Sequence, residues 1–158
     1  MMKQPLKLVL SIGVCLMAGV VGSVFNIAAI PTWYTTINKP FFNPPNWVFG
    51  PVWTTLFILM GISLYLVWRE GSKKKEVRKG LGLFRFQLLL NVLWSGLFFG
   101  LRSPALGFIG IVALWVMIFL TIKQFNKVSK EAAWLLIPYI AWVSFASILN
   151  LSIWALNA

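Results

Sequence analysis

Five apolar runs dominate the chain, at residues 6–26, 48–68, 81–101, 104–122 and 132–156, and the stretches between them hold nearly all of the charge. About 20 residues at 1.5 Å rise per residue cover a hydrocarbon layer roughly 30 Å thick, so each run is long enough to cross a bilayer. Unpaired backbone groups are too costly in lipid, which makes helices the predicted form of all five. Apart from Lys7 at the very start of the first run, Arg85 is the one charge inside the runs, near the start of the third, where its stem can carry the guanidinium to the interface. The predicted fold class is an all-α integral membrane protein, a single five-transmembrane-helix bundle over residues 1–158. Its expected place is the cell membrane, as a multi-pass protein.

Polar positions inside these runs should face neighbouring helices or a cavity. In the third run Gln87, Asn91, Ser95 and Phe98 share one helical face, and Trp94 flanks it. In the fifth, Trp134, Pro138, Trp142, Ala146, Asn150 and Trp154 recur every four residues. In the second, Trp53 and Phe57 lie one turn apart and Gly61 follows. Interhelical hydrogen bonding and aromatic packing account for each residue singly. Three such stripes at one depth, in a chain with 9 Trp, also describe the walls of a pocket.

Small residues make a second pattern. Ser11, Cys15, Ala18, Gly22 and Asn26 line one face of the first run, where another helix can approach closely. Gly96 and Gly100 form a GxxxG pair, which suits close packing within one chain or the seam of a homodimer.

The connection over residues 30–46 carries Pro31, Pro40, Pro44 and Pro45, which exclude a continuous helix and stiffen the loop. Asn46 is the predicted N-cap of the second span. With Trp33, Tyr34, Phe41 and Phe42, the loop reads either as a lid over a cavity or as an interfacial anchor.

Charge then orients the bundle. Of 14 Lys and Arg, eleven fall at the N-terminus (Lys3, Lys7), between the second and third runs (Arg69, Lys73, Lys74, Lys75, Arg78, Lys79) and between the fourth and fifth (Lys123, Lys127, Lys130). Only Lys39 and Arg102 lie on the other side. The expected topology therefore has the N-terminus cytoplasmic and the C-terminus outside. Located this way, the net charge of +11 is a topology signal. The Lys73 to Lys75 cluster suits anionic lipid head groups, and no nucleic-acid partner is expected. Lys3 and Lys7 ahead of an apolar run also describe a signal peptide, but the run is long for one and Val21, Gly22 and Ser23 make a poor cleavage site. With 11% charged residues, no His and only Cys15, the sequence offers neither a Cys/His metal site nor a histidine-based catalytic group.

The chain resembles the translocator protein family, also called tryptophan-rich sensory protein or peripheral-type benzodiazepine receptor. The residues that carry the match are Trp33 and Tyr34, Lys39 and Pro40, Pro44 and Pro45, and the run Gly50, Pro51, Val52, Trp53. Gln87, Asn91, Trp94, Ser95, Phe98, Phe99 and Gly100 follow, then Trp134, Pro138, Tyr139, Trp142, Phe145, Ala146 and Asn150. The resemblance implies a five-helix bundle, commonly dimeric, with a pocket closed by the first loop. It implies porphyrin or haem-like ligands, with membrane lipid as the other partner and no resident cofactor or metal. The implied ligand-binding positions are Tyr34, Trp53, Phe57, Asn91, Ser95, Phe98, Trp142 and Ala146. Trp33, Pro40, Pro44 and Pro45 belong to the lid, and Gly96 and Gly100 to the dimer seam. The chain departs from the family at the C-terminal end of the fifth run. That stretch lacks the Tyr and Arg of the sterol-recognition pattern, and the fourth run carries no acidic residue.

Three functions follow as expectations: a carrier or sensor that binds tetrapyrroles, an enzyme for light- and oxygen-dependent porphyrin breakdown, or a regulatory membrane partner. No firm catalytic residue emerges, although Trp53 and Trp142 are candidate electron donors in the second case. Propionates of a porphyrin are expected near Lys39 or Arg102.

Overall fold

The structure, a computed structural model, describes residues 3–158. Helix α1 (Gln4–Ala29) starts with Pro5 in its first turn, where a missing N–H costs nothing. A single turn, α2 (Trp33–Thr36), interrupts the following loop. Helix α3 (Asn46–Trp68) then begins at Asn46, which corrects its assignment as an N-cap. Pro45, with φ already fixed by its ring, takes the extended cap position, and no side chain caps this end.

Helix α4 (Lys75–Ser95) continues through a π-turn (Gly96–Gly100), and Arg102 leaves it with φ of 51°. It begins six residues before the predicted third span, because hydropathy marks only the part in lipid while Lys75, Arg78 and Lys79 stay helical in water. Arg85 consequently lies three turns into the helix and is exposed. Helix α5 (Pro104–Asn126) is capped by the Ser103 hydroxyl, which accepts from the Leu106 N–H at 3.3 Å.

The fifth span is two helices, α6 (Lys130–Leu135) and α7 (Ile137–Asn157). Pro138 has no N–H to offer the carbonyl of Trp134, and the helix is interrupted just before it, at Leu136. Trp134 is 71% exposed and does not share a wall with Trp142.

The five long segments pack as a ring in which α1 lies against α3 and α4, α4 against α5, and α5 against α6 and α7. Helix α3 closes the ring mainly on α6 and touches α7 only sparsely. The exterior is apolar, as the core is, and the core also holds polar side chains. Val9, Met17, Ile27, Leu89 and Ile109 point outward, whereas Gln87, Asn91, Ser95, Gln124 and Asn150 are buried inside. Such an exterior suits hydrocarbon, and five of the described segments are long and apolar enough to cross a membrane.

Glycines set the closest approaches. A Cβ on Gly61 would lie 2.5 Å from Ile12 Cα, and one on Gly19 would lie 2.7 Å from the Phe57 ring. Gly96 and Gly100 face Phe25 of α1, so the contact they permit is within the chain.

At the end with most basic residues, the buried Ser63 hydroxyl donates to the Ala132 carbonyl at 2.7 Å and ties α3 to α6. Ser63→Ala is expected to lower the stability of the bundle by about 0.6–1 kcal/mol, read as a lower melting temperature in detergent.

Candidate functional site

Where α3 and α7 separate, the bundle encloses a cavity of about 650 Å³ beneath the 30–46 loop. Helical spacing places its wall. Trp53 and Phe57 come from successive turns of α3, Asn91 and Ser95 from α4, Phe98 from the π-turn, and Trp142 and Ala146 from α7. Tyr34 of α2 closes the top. All eight residues proposed for ligand contact thus line one space.

The wall is continuous aromatic surface. Ring centroids are 5.6 Å apart for Trp53 and Phe57, 6.3 Å for Trp53 and Trp94, and 5.7 Å for Trp94 and Phe98. On the far side Phe49 meets Trp142 at 6.0 Å. The π-turn packs Phe98 on Phe99 at 4.8 Å, and both rings touch Tyr34.

Trp94, Asn150, Asn26 and Phe49 are among the wall residues not singled out as ligand contacts in the sequence. Trp94 was read as flanking its stripe; it lines the cavity, and its indole N–H donates to Asn150 Oδ1 at 3.2 Å. Asn150 in turn donates to the Pro104 carbonyl at 2.7 Å, which holds α7 to the start of α5. Asn26 and Phe49 also contribute. The repeat of α7 and the small-residue face of α1 contained the signal for Asn150 and Asn26, while Phe49 had none beyond its place one turn before Trp53.

Polar groups of the wall are few and held in place. Asn91 Nδ2 donates to the Tyr139 hydroxyl at 2.7 Å, and that hydroxyl donates to Gln87 Oε1 at 2.8 Å. Among the described residues, Gln87 Nε2, Trp142 Nε1 and Asn26 Oδ1 are buried without a partner.

The loop is latched. The Tyr34 hydroxyl donates to Asn43 Oδ1 at 2.7 Å, and Lys39 Nζ donates to the carbonyls of Tyr34 and Ile37 at 2.6 and 3.0 Å. The Asn38 N–H donates to Asn157 Oδ1 at 2.9 Å, and Asn157 Nδ2 donates back to the Asn38 carbonyl at 2.8 Å. The loop is therefore fastened to the end of α7. Burial pushes the Tyr34 phenol up to about 12 against the opposing pull of Asn43, so it stays a donor at neutral pH.

Of the other loop positions, Trp33 packs edge-on against Phe98 at 5.6 Å behind the wall. Pro40, Pro44 and Pro45 shape the turn without lining the cavity. Lys39 gives two of its three donors to the latch, and Arg102 is exposed.

Val20 of α1 and Asn46, Gly50 and Thr54 of α3 line the cavity and are exposed as well. The space therefore opens sideways between α1 and α3, toward the lipid. Cys15 is buried elsewhere, and among the described residues no cluster of Cys, Asp or Glu could hold a metal ion. Glu70, Glu76 and Glu131 lie at the opposite end, with Glu70 beside Arg69 at 3.8 Å and Lys74 at 3.6 Å.

Comparison with known proteins adds a family to this geometry. A profile of the TspO/MBR family matches residues 11–155. The tryptophan-rich protein TspO of Chlorobaculum tepidum is 52% identical over 157 residues, 99% of each chain. That of Archaeoglobus fulgidus is 48% identical over 153 residues, 97% of this chain and 98% of its own. The human translocator protein is 39% identical over 138 residues, 87% of this chain and 82% of its own.

Proposed function

The chain belongs to the TspO/MBR family, and from that premise we propose that it binds flat amphipathic ligands inside the membrane, tetrapyrroles such as protoporphyrin IX and haem, as a carrier or sensor. One observation carries this reading: the cavity of about 650 Å³ walled by Trp53, Phe57, Trp94, Phe98 and Trp142. That volume lies within the roughly 300–1,000 Å³ of small-molecule pockets. Indole and phenyl faces offer a porphyrin apolar area and stacking partners. The sideways opening suits a ligand that partitions into lipid first. The distribution of Lys and Arg supports placing the N-terminus in the cytoplasm and the latched loop outside.

Protoporphyrin IX titrated into purified protein in darkness is expected to quench tryptophan fluorescence saturably at micromolar concentration. Absence of saturation would refute the reading.

The chain has no His, neither Cys15 nor any Met lines the wall, and Tyr34, a less common type of iron ligand, has its hydroxyl on Asn43, so recognition rests on the ring more than on axial ligation of iron. Protoporphyrin IX and haem should then bind with dissociation constants within about threefold of one another. A tenfold preference for haem would reveal an iron ligand.

A second reading, photo-oxidative breakdown of the bound porphyrin, draws on the contact of Trp53 with Trp94 and on Trp142 at the same wall. Illumination in air would then produce new absorbance bands that Trp53→Phe and Trp142→Phe abolish. Binding with no light-dependent product would leave the carrier or sensor.

A further inference from the structure

Asn91 is the polar group at the middle of its span, and only one side of its amide is committed. Nδ2 is held by the Tyr139 hydroxyl, while Oδ1 has no partner within the chain and is not among the buried unpaired atoms. Since Asn91 lines the cavity, its oxygen is open to a ligand there.

The chain behind it can run in two directions. In one direction Asn91 donates to Tyr139 and Tyr139 donates to Gln87, which leaves Gln87 Nε2 without a partner although the residue is 1% exposed. If both amides turn over, Gln87 donates to Tyr139, and Tyr139 donates to Asn91. The hydroxyl serves equally well, since it is both donor and acceptor. The same heavy-atom positions then leave Gln87 Oε1 unpaired and present Asn91 Nδ2 to the cavity. Each direction keeps two hydrogen bonds and one orphan, so neither is strongly preferred without a ligand. Tyr139 is fully buried and cannot turn to other partners.

We infer that Gln87 and Tyr139 are positioning residues that let Asn91 meet one polar group of a flat aromatic ligand, whether that group donates or accepts a hydrogen bond. The ligand class is a planar apolar body with a single N–H, carbonyl or ring nitrogen on the edge that reaches Asn91. This rests on the cavity being a pocket for flat aromatic ligands, as proposed above, but not on those ligands being tetrapyrroles.

Three tricyclic probes of similar shape separate the possibilities. Carbazole offers only an N–H donor, acridine only a ring-nitrogen acceptor, and anthracene neither. Binding to the full chain in detergent is read by tryptophan quenching, with empty micelles as the partition control. Tyr139→Phe is expected to weaken carbazole and acridine about fivefold each and to leave anthracene unchanged. Asn91→Leu should do the same, and Tyr139→Phe should have no further effect on top of it, which a double-mutant cycle reads directly. Gln87→Leu should weaken both polar probes about twofold, and it tests the idea independently if Tyr139→Phe does not fold.

Equal loss for all three probes would show a structural role and overturn the inference. So would no loss, loss for one polar probe only, or no saturable binding of any probe to the wild-type chain. Protoporphyrin IX is titrated in parallel. If it fails while the tricyclic pattern holds, the tetrapyrrole reading falls and this inference stands.

Discussion

Replacing Gly61 by valine is expected to cost the bundle about 3 kcal/mol or more, seen as a large fall in melting temperature or loss of folded protein in detergent. The reason is geometric. A Cβ at Gly61 would sit 2.5 Å from the Cα of Ile12 and 2.9 Å from its nitrogen, and backbone atoms cannot rotate aside. The only relief is to move α1 away from α3, and that contact is among the most extensive in the ring. Small residues permit such close helix approach in lipid, where no hydrophobic force between helices compensates for a gap. Two controls have the opposite sign. Gly13 of α1 and Gly82 of α4 have open space where a Cβ would go. Gly13→Ala and Gly82→Ala should be neutral or raise stability by about 0.5–1 kcal/mol through lower backbone entropy in the unfolded chain. If Gly61→Val melts like the wild type, the α1–α3 contact is not what holds the ring closed.

The contrast between Gly61 and Gly82 shows what hydropathy can and cannot reveal. The five spans were legible because a lipid-crossing segment announces itself by length and lack of charge, a property of each segment alone. The wall residues were legible for a related reason: Trp53 with Phe57, and Asn91 with Ser95 and Phe98, share a helix face by spacing. Which faces meet is a property of pairs, and spacing within one helix does not contain it. Gly61 stood in the second stripe as a continuation of Trp53 and Phe57, yet it faces Ile12 of α1 and not the cavity. Gly96 and Gly100 were legible as a place of close approach, but spacing did not name Phe25 of α1 as the ring they face. Trp134 shared a four-residue repeat with Trp142, but Pro138 breaks the helix between them and leaves Trp134 outside. The boundary errors have a different cause. Helix α4 extends to Lys75 because a helix does not end where the membrane does, and Asn46 lost its cap role to Pro45, whose ring already holds the extended conformation.

Ala146→Trp is expected to abolish saturable binding of protoporphyrin IX, weakening it at least about tenfold, while leaving the bundle folded. Ala146 is 7% exposed and lies on α7 between Trp142 and Asn150, with its methyl group on the cavity wall. An indole there has somewhere to go, because Ala146 lines a space of about 650 Å³, whereas Gly61 lies against the backbone of Ile12. It would occupy the area that the porphyrin ring needs between α3 and α7. Tenfold corresponds to about 1.4 kcal/mol, a modest demand on a substitution that removes so much stacking surface. Filling a void with apolar area should hold the melting temperature level or raise it, so lost binding would not reflect lost fold. Ile148→Trp is the matched control, two residues further along α7 on the opposite side, where Ile148 is 60% exposed and outside this cavity. It should leave binding unchanged. If Ala146→Trp binds protoporphyrin IX as tightly as the wild type, the ligand does not sit between α3 and α7. If both substitutions weaken binding equally, the effect comes from α7 as a whole and not from the space that Ala146 leaves open.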